Sequence, residues 1–387
     1  MMSIIATNLR AIPHRLAGSL VTVFGLACVV AVLLSMLAMA NGVMHTIANT
    51  GRDDRAVILR SGAAAEMNSA LSRDQAVAIM DAPGVKRDGA GRPVASADTL
   101  LALEIPTEAG ASWANAIVRG VTSMAPALRP ELALISGRYF QSGTHELIVG
   151  EKASRQFAVL QLGARLLIGN SEWQIVGVFR SGDQHESELF GDAETLAAAL
   201  RRNGYQSVTV RLDAAQSFDA LREALLAHPG LAVDVRRETE YFAEQSKPLT
   251  RVLSVIAFAI GGIMSLGALF GALNTMYAAV SSREREIATL RALGFGAGSV
   301  VFSVLVEALA LAFIGALLGS MTAWLLFDGH VANTSVGGFT QTVFALRLTP
   351  ALVVFGIVWA CAVGFVGALA PALRAARAPV AQALRAT

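Results

Sequence analysis

Long unbroken apolar runs at both ends of the chain enclose a central stretch in which apolar and polar residues alternate in short segments. A helix that crosses a hydrocarbon core needs roughly 20 predominantly apolar residues at about 1.5 Å rise each. Four segments meet this length: about Leu16 to Val43, Val252 to Val280, about Gly298 to Phe327, and Leu348 to Leu373. The pattern predicts one span, a long polar-containing segment, and then three spans. The first run ends in Ala38-Met39-Ala40, which is similar to a signal-peptidase site. It is longer than a signal peptide's apolar core of about 7–15 residues, so a retained anchor is expected, with a mature terminus near Asn41 as the competing outcome.

The central segment, 45–247, reads as a folded mixed α/β domain. Strand-like runs start at Ala56 (AVILRSG), Ala114 (ANAIVRGV), Glu146 (ELIVG), Arg165 (RLLIGNSEWQIVGVF), Tyr205 (YQSVTVRL) and Leu231 (LAVDVRR), punctuated by Gly and Asn. Ser72 and Gln75 match a capping box, and Ser217 with Asp219 in the first turn opens a second helix. A weak internal repeat joins these parts. AVILRSG is followed by a capped helix and Pro83-Gly84, and VTVRLDA by a helix and Pro229-Gly230. A split βαβ arrangement would bring the two halves together and leave residues from about Asp88 to Leu200 as an inserted lobe. The expected domains are 1–44 (tail and first span), 45–247 (outer domain) and 248–387 (three spans).

Composition changes the picture by exclusion. Hydrophobic residues make up 54% and charged residues 16%, too apolar for an ordinary soluble protein of this length. A net charge of +2, with no basic run interleaved with aromatics, argues against a nucleic-acid partner. Cys28 and Cys361 both lie in apolar runs and suggest no disulfide framework. The lysines are Lys86, Lys152 and Lys247, none preceded by glycine, so no phosphate-binding P-loop is present and nucleotide hydrolysis is expected on another chain. The six histidines lack metal-ligand spacing, neither HExxH nor GxSxG occurs, and no catalytic constellation or metal site is expected.

Arginine placement predicts orientation. Arg10 and Arg15 precede span one, Arg283, Arg285 and Arg291 join spans two and three, and Arg374, Arg377 and Arg385 follow span four. The connection from Asp328 to Leu346 has neither lysine nor arginine. Both termini are therefore expected in the cytoplasm and the long domain outside, where length exempts it from the charge rule.

Between spans two and three the apolar pattern stops for SSREREIATLRALGFGAG, Ser281 to Gly298. Ser281 and Glu284 match a capping box, Arg283 and Glu286 are spaced for a surface pair, and Glu284, Arg285 and Arg291 add charge. Ile287, Leu290 and Leu293 recur every three residues, and Gly294 is placed to end the helix. The product is a short amphipathic helix, 281–294. It either lies on lipid headgroups or docks into a groove of another protein, and its mixed charge and apolar edge favour docking. GFGAG lacks a preceding strand and a lysine, and reads as a hinge.

Glu307 lies about nine residues past Gly298, roughly 13 Å along span three. An intramembrane carboxylate usually faces protein or water. Its candidate partners are a second copy of the chain or Arg291; the alternative is a glutamate that snorkels or is protonated at the headgroup boundary. Gly267 and Gly271 in span two, and Gly315 and Gly319 in span three, have small-xxx-small spacing for close helix approach, within one copy or between two.

Three passages resemble the MacB/FtsX-type, or mechanotransmission, permeases of ABC transporters. They are Ser281 to Ser320, with IATLRALG and a following span that carries Glu307 and then glycines; Ser136 to Gly182, with SGRYF, ELIVGEKASRQF and LGARLLIGNSEWQIVGVFRSG; and the tail PALRAARAPVAQALR. The resemblance implies a four-helix, one-plus-three membrane protein of the bacterial inner membrane, with a large extracytoplasmic mixed α/β domain between helices 1 and 2. It implies a non-catalytic permease subunit, with ATP and Mg held by a cytoplasmic ABC ATPase chain that grips 281–294 as a coupling helix. It further implies a second permease copy, expected as a homodimer, and export of substrates already outside the inner membrane, with a periplasmic adaptor and outer-membrane channel as further candidate partners. Lipoprotein release and control of a cell-wall hydrolase are the alternatives within the family; an ATPase-independent receptor is the alternative outside it.

Overall fold

The computed structural model describes residues 16–106, 113–336 and 340–377. The charged tails before Leu16 and after Arg377, used above for orientation and for part of the resemblance, lie outside the described residues. The chain divides into two compact units: one formed by 1–42, 251–330 and 346–387, the other by 43–250 and 331–345.

The first unit is helical. Among the described residues, four helices are long and apolar enough to cross a membrane: α1 (Leu16–Ala48), α7 (Glu238–Ser281), α9 (Ala297–Phe327) and α10 (Pro350–Arg377). Of these, α7 is longer than its apolar run because the polar residues ahead of Val252 continue the helix back to Glu238, with Pro248 inside it. Small residues set the crossings. A Cβ added at Gly315 would meet the Val23 carbonyl oxygen at 2.8 Å, and one at Gly319 the Ala27 oxygen at 2.4 Å, so α9 packs backbone-close on α1. Gly364 brings α10 equally close to Ala312 of α9. Both Gly267 and Gly271 of α7 have open space where a Cβ would stand. One glycine pair is thus a seam inside this chain, while the other faces away from it. Phe258, Phe355 and Trp359 form an aromatic cluster between α7 and α10, and the Trp359 indole donates to Ser265 Oγ at 2.9 Å.

The second unit is built on a ten-stranded mixed sheet, in the order β10-β1-β9-β2-β3-β8-β5-β7-β4 with β6 paired to β7. Its base contains β1 (Arg55–Arg60), α2 (Arg73–Met80), the start of β2 (Ala95–Pro106), β9 (Ser207–Arg211), α6 (Ser217–Ala227) and β10 (Val233–Arg237). Strand β9 lies antiparallel between β1 and β2, and β1 between β10 and β9, which is a split βαβ arrangement made from the two sequence-distant repeats. Ile58, Ala76, Ile79, Val208, Phe218 and Leu221 close its core. The Ser72–Gln75 capping box forms in full, and α6 starts at Ser217 with Asp219 in its first turn. Both Pro-Gly pairs are turns, with Gly84 at φ +85° and Gly230 at φ +91°, a region open to glycine at little cost.

The lobe leaves the base partway along β2. Residues Ala95–Asp98 pair with β9 and Thr99–Pro106 with β3 (Trp113–Val121), so the lobe begins later than Asp88 and residues 88–98 belong to the base. Within it run α3 (Ala125–Leu128), β4 (Ala133–Gly137), β5 (Glu146–Gly150), α4 (Glu151–Gln156), β6 (Arg165–Ile168), β7 (Ser171–Arg180), β8 (Glu188–Asp192) and α5 (Ala193–Ala199) around Val118, Leu147, Phe157, Trp173 and Leu196. The run starting at Arg165 is a hairpin rather than one strand, because Gly169 at φ +61° turns the chain back. Three strands carry too little alternation to be predicted: β2, β4 and β8. The connection between α9 and α10 also folds, as a hairpin of β11 (Val331–Val336) and β12 (Thr340–Ala345) that packs on β3.

Candidate coupling site and a buried ionic cluster

The charged segment between α7 and α9 forms a separate short helix, α8 (Glu284–Ala292). Ser281 ends α7 rather than capping α8; the cap position is Arg283, with no side-chain capping bond. The expected Ser281–Glu284 capping box is therefore absent, because α7 continues through Ser281. Leu293 caps the other end, and Gly294 follows at φ +93°, the left-handed conformation in which glycine commonly ends helices. Gly296 is then the N-cap of α9.

Arg283 does not sit on the surface with Glu286. It is 7% exposed, and its Nη1 donates to Glu307 Oε2 at 3.1 Å, an ion pair in which both side chains are almost covered. The carboxylate in span three thus takes its cation from the start of the charged segment. Two charges withdrawn from water need each other, since removing one partner of a buried pair typically costs about 3–5 kcal/mol. The pair fixes the start of α8 against α9. Ile287 packs on the cluster of Met276, Val280, Val300 and Val304, and Ala288 is buried, so part of the apolar edge of α8 faces its own chain. Glu284, Arg285, Glu286 and Leu293 point outward, Leu293 being 73% exposed, and Arg291 is half-buried. Leu290 lies within α8, but its side chain is outside the described set. A small cleft of about 40 Å³ opens between α7, α8 and α9, with Glu286 and Ile287 among its walls and Arg283 and Glu307 lining it.

Pattern reading missed a second constellation, in the sheet unit. Arg119 on β3 is 1% exposed and serves three carboxylates. It is bidentate to Glu66 (2.9 and 3.0 Å), donates through Nε to Glu188 at 2.7 Å, and reaches Asp98 Oδ2 at 3.1 Å. His185 Nδ1 lies 3.2 Å from Glu188 Oε2. Nearby, Arg55 meets Glu131 at 2.7 Å and Glu238 at 2.8 Å, and Arg129 meets Glu238 at 3.6 Å. Burial pushes the Asp98 and Glu238 carboxyls above their ordinary values against the pull of the nearby arginines. Burial opposes ionisation of Glu66 and Glu188 as well, but Arg119 outweighs it and holds both below the usual carboxylate range. The one sequence signal was a charge at inward strand positions, Arg55 in RAVILR and Arg119 in ANAIVRGV.

This cluster seats the start of α7. Glu238 is its first residue and accepts the Arg52 N–H at 3.0 Å, while the Tyr241 hydroxyl accepts the Glu66 N–H at 3.0 Å. Gly51, just past α1, lies where a Cβ would stand 2.5 Å from the Thr239 backbone. Among the described residues, no group of histidine, cysteine and carboxylates is arranged to hold a metal ion.

Two family models match the chain: a MacB-like periplasmic core domain over residues 19–228 and an FtsX-like permease C-terminal domain over residues 258–380. Among curated relatives, the macrolide export ATP-binding/permease protein MacB of Azoarcus sp. is 24% identical over 96% of this chain and 57% of its own length. An uncharacterized ABC transporter permease of Bacillus subtilis, YvrN, is 26% identical over 55% of this chain and 54% of its own. The chain therefore spans about half the length of these relatives. Among solved structures, the extracellular domain of the transporter YknZ aligns over 47% of this chain and 99% of its own at 16% identity and a TM-score of 0.36. The periplasmic region of MacB from Actinobacillus actinomycetemcomitans aligns over 48% and 90% at 14% identity and a TM-score of 0.37. With one model covering more than half of the chain and the second most of the remainder, the protein belongs to the MacB/FtsX-type family of ABC transporter permeases.

Proposed function

We propose that this chain is the membrane subunit through which a separate cytoplasmic ABC ATPase, carrying ATP and Mg, moves an extracytoplasmic domain to drive export of substrates from the periplasm or the outer leaflet of the bacterial inner membrane. In this reading α8 is the helix that the ATPase grips. One observation carries it: α8 is held by the buried Arg283–Glu307 pair and by Ile287, while Leu293, Glu284 and Arg285 remain outward. A helix lying on lipid has no need of a buried ion pair at its start. A helix that passes on force does, because a loose handle would dissipate the motion of its partner. The permease acts as a dimer, expected to be of identical copies, with both termini cytoplasmic; an adaptor and outer-membrane channel are candidate partners on the far side.

The test is affinity isolation of the intact chain from its native membrane, with ATPase activity measured in the isolate. A P-loop ATPase should co-purify, and Leu290→Asp or Leu293→Asp should reduce its recovery at least tenfold while leaving the chain folded. Isolation of the intact chain without any P-loop ATPase, or full recovery with both variants, would overturn the reading.

A further inference from the structure

The ionic cluster in the sheet unit has an unbalanced charge. Three guanidiniums (Arg55, Arg119, Arg129) face five carboxylates (Glu66, Asp98, Glu131, Glu188, Glu238), which leaves two surplus negative charges if every carboxyl is ionised and His185 is neutral. All but Glu131 have side chains at least nine-tenths buried. An uncompensated charge in a dry interior is strongly unfavourable, and a buried carboxyl escapes that cost by keeping its proton. The surplus is greatest around Arg119, where one cation stands against three carboxylates.

The surrounding elements supply little of the missing charge: Arg52 and Arg211 border Arg55 and Glu131 at the open end of the cluster, and Arg211 is already paired with Asp54 at 3.0 Å. On the 3₁₀ turn Gln184–Ser187, Glu186 is matched by Lys152 of α4 at 3.1 Å. Asp183, at the cap of that turn, accepts from the His185 N–H and from Ser181 Oγ and adds a further negative charge. Residues of β9 and α7 facing the cluster contribute hydroxyls, Ser207 Oγ to Glu66 and Tyr241 at the Glu66 N–H. Seven buried polar atoms of the cluster lack a hydrogen-bond partner among the described residues: the acceptors Glu238 Oε1 and Glu131 Oε1, His185 Nε2, and the donors Arg55 Nε and Nη2 and Arg129 Nε and Nη1. The His185 ring is packed between Phe190 and Phe242, centroids 5.7 and 6.0 Å away.

We propose that this cluster is a proton-binding site: Asp98 keeps a proton at neutral pH, Glu238 is its further acceptor, and the number of protons bound sets how firmly the first turn of α7 is seated. Asp98 is the geometric choice because Arg129, although near enough to pull on it, makes no hydrogen bond to it among the described residues, and its one guanidinium contact is shared. Its Oδ1 takes a neutral donor, Ser96 Oγ at 2.5 Å, and its Oδ2 shares Arg119 Nη1 with Glu66. By contrast, Glu66 and Glu188 each take two guanidinium contacts. The direction in which burial pushes Asp98 and Glu238 agrees with this assignment. The site is a property of the permease chain alone and does not rest on its coupling to an ATPase. Its consequence is a membrane subunit whose outer domain responds to the acidity of the compartment it faces.

Linkage fixes the sign. The folded chain binds more protons at Asp98 and Glu238 than the unfolded chain does, so stability falls as pH rises above the ordinary carboxylate values of 3.8 and 4.5. Each proton released changes the unfolding equilibrium up to tenfold per pH unit.

The experiment is thermal unfolding of the full chain in detergent micelles from about pH 5 to about pH 9, with infrared detection of protonated carboxyl groups at pH 7. The wild-type melting temperature should fall across this range and a protonated-carboxyl band should be present. Asp98→Asn should flatten the profile, raise the melting temperature at the alkaline end and weaken the band. A flat wild-type profile, or a wild-type chain with no band at pH 7, overturns the proposal without any variant. So does a folded Asp98→Asn chain that keeps both the full slope and the full band. Should Asp98→Asn fail to fold, Glu238→Gln takes its place, with the same losses expected and the same retained slope and band overturning the site.

Discussion

Arg283 and Glu307, 24 residues apart and on either side of the turn at Gly294, form a 3.1 Å ion pair with both side chains nine-tenths covered. The pair makes the charged segment part of the membrane helices rather than an appendage to them. Breaking it from one side takes an opposite charge away from an almost covered group. Arg283→Met or Glu307→Gln alone should destabilise the chain by about 3–5 kcal/mol, and the double variant by clearly less than the sum. A double-mutant cycle on thermal unfolding in micelles measures this, and additive penalties would show that the two residues do not work as a pair.

The two glycine pairs should part company on substitution. Gly319→Leu drives a side chain into the Ala27 carbonyl of α1 and should cost about 1–3 kcal/mol or prevent folding, whereas Gly271→Leu enters open space and should leave the melting temperature of the isolated chain unchanged. Equal losses at both positions would contradict the assignment of Gly315 and Gly319 to an internal seam.

At the other end of α7, Gly51→Val should be among the most damaging single changes in the sheet unit, because its Cβ would stand 2.5 Å from backbone atoms of Thr239, where no side-chain adjustment relieves the clash. Native-state proteolysis between Ala48 and Arg55 reads this directly, with faster cleavage expected in the variant.

Strong acid should act in the opposite sense to mild acid. Glu66 and Glu188 have folded-state values lowered by Arg119, so their contribution is fully present above about 4.5 and is lost as pH falls below it. Unfolding followed by circular dichroism should therefore show a stability optimum in the mildly acidic range and a steep loss on its acid side. Arg119→Met should remove that acid-side dependence together with several kcal/mol of stability, roughly the 3–5 expected when buried carboxylates lose their cation.

Much of the architecture was readable before any tertiary contact was considered. The four spans follow from run length, the short helix from the recurrence of Ile287, Leu290 and Leu293 with a glycine behind, and the two halves of the base from a repeated strand, helix and Pro-Gly turn. What escaped reading has an identifiable cause in each case. Strand β2 (ASADTLLALEIP) shows little alternation because its first part pairs in the base and its second in the lobe. The Ser281–Glu284 box fails because α7, already propagating, extends through Ser281 more cheaply than a new helix starts there.

The amino-acid order by itself determined the spans, the folded outer segment and the place of the short charged helix, because each depends on local periodicity, on the cost of exposing backbone in hydrocarbon and on turn residues acting over a few positions. Tertiary structure alone decided which charges meet. Arg283 met Glu307, Gly315 and Gly319 met α1 while Gly267 and Gly271 face open space among the described residues, and Arg119 gathered Glu66, Asp98 and Glu188 from three separate elements. Such pairings are made across tens of residues by packing in a medium where an unmatched charge is costly, and no local pattern records them.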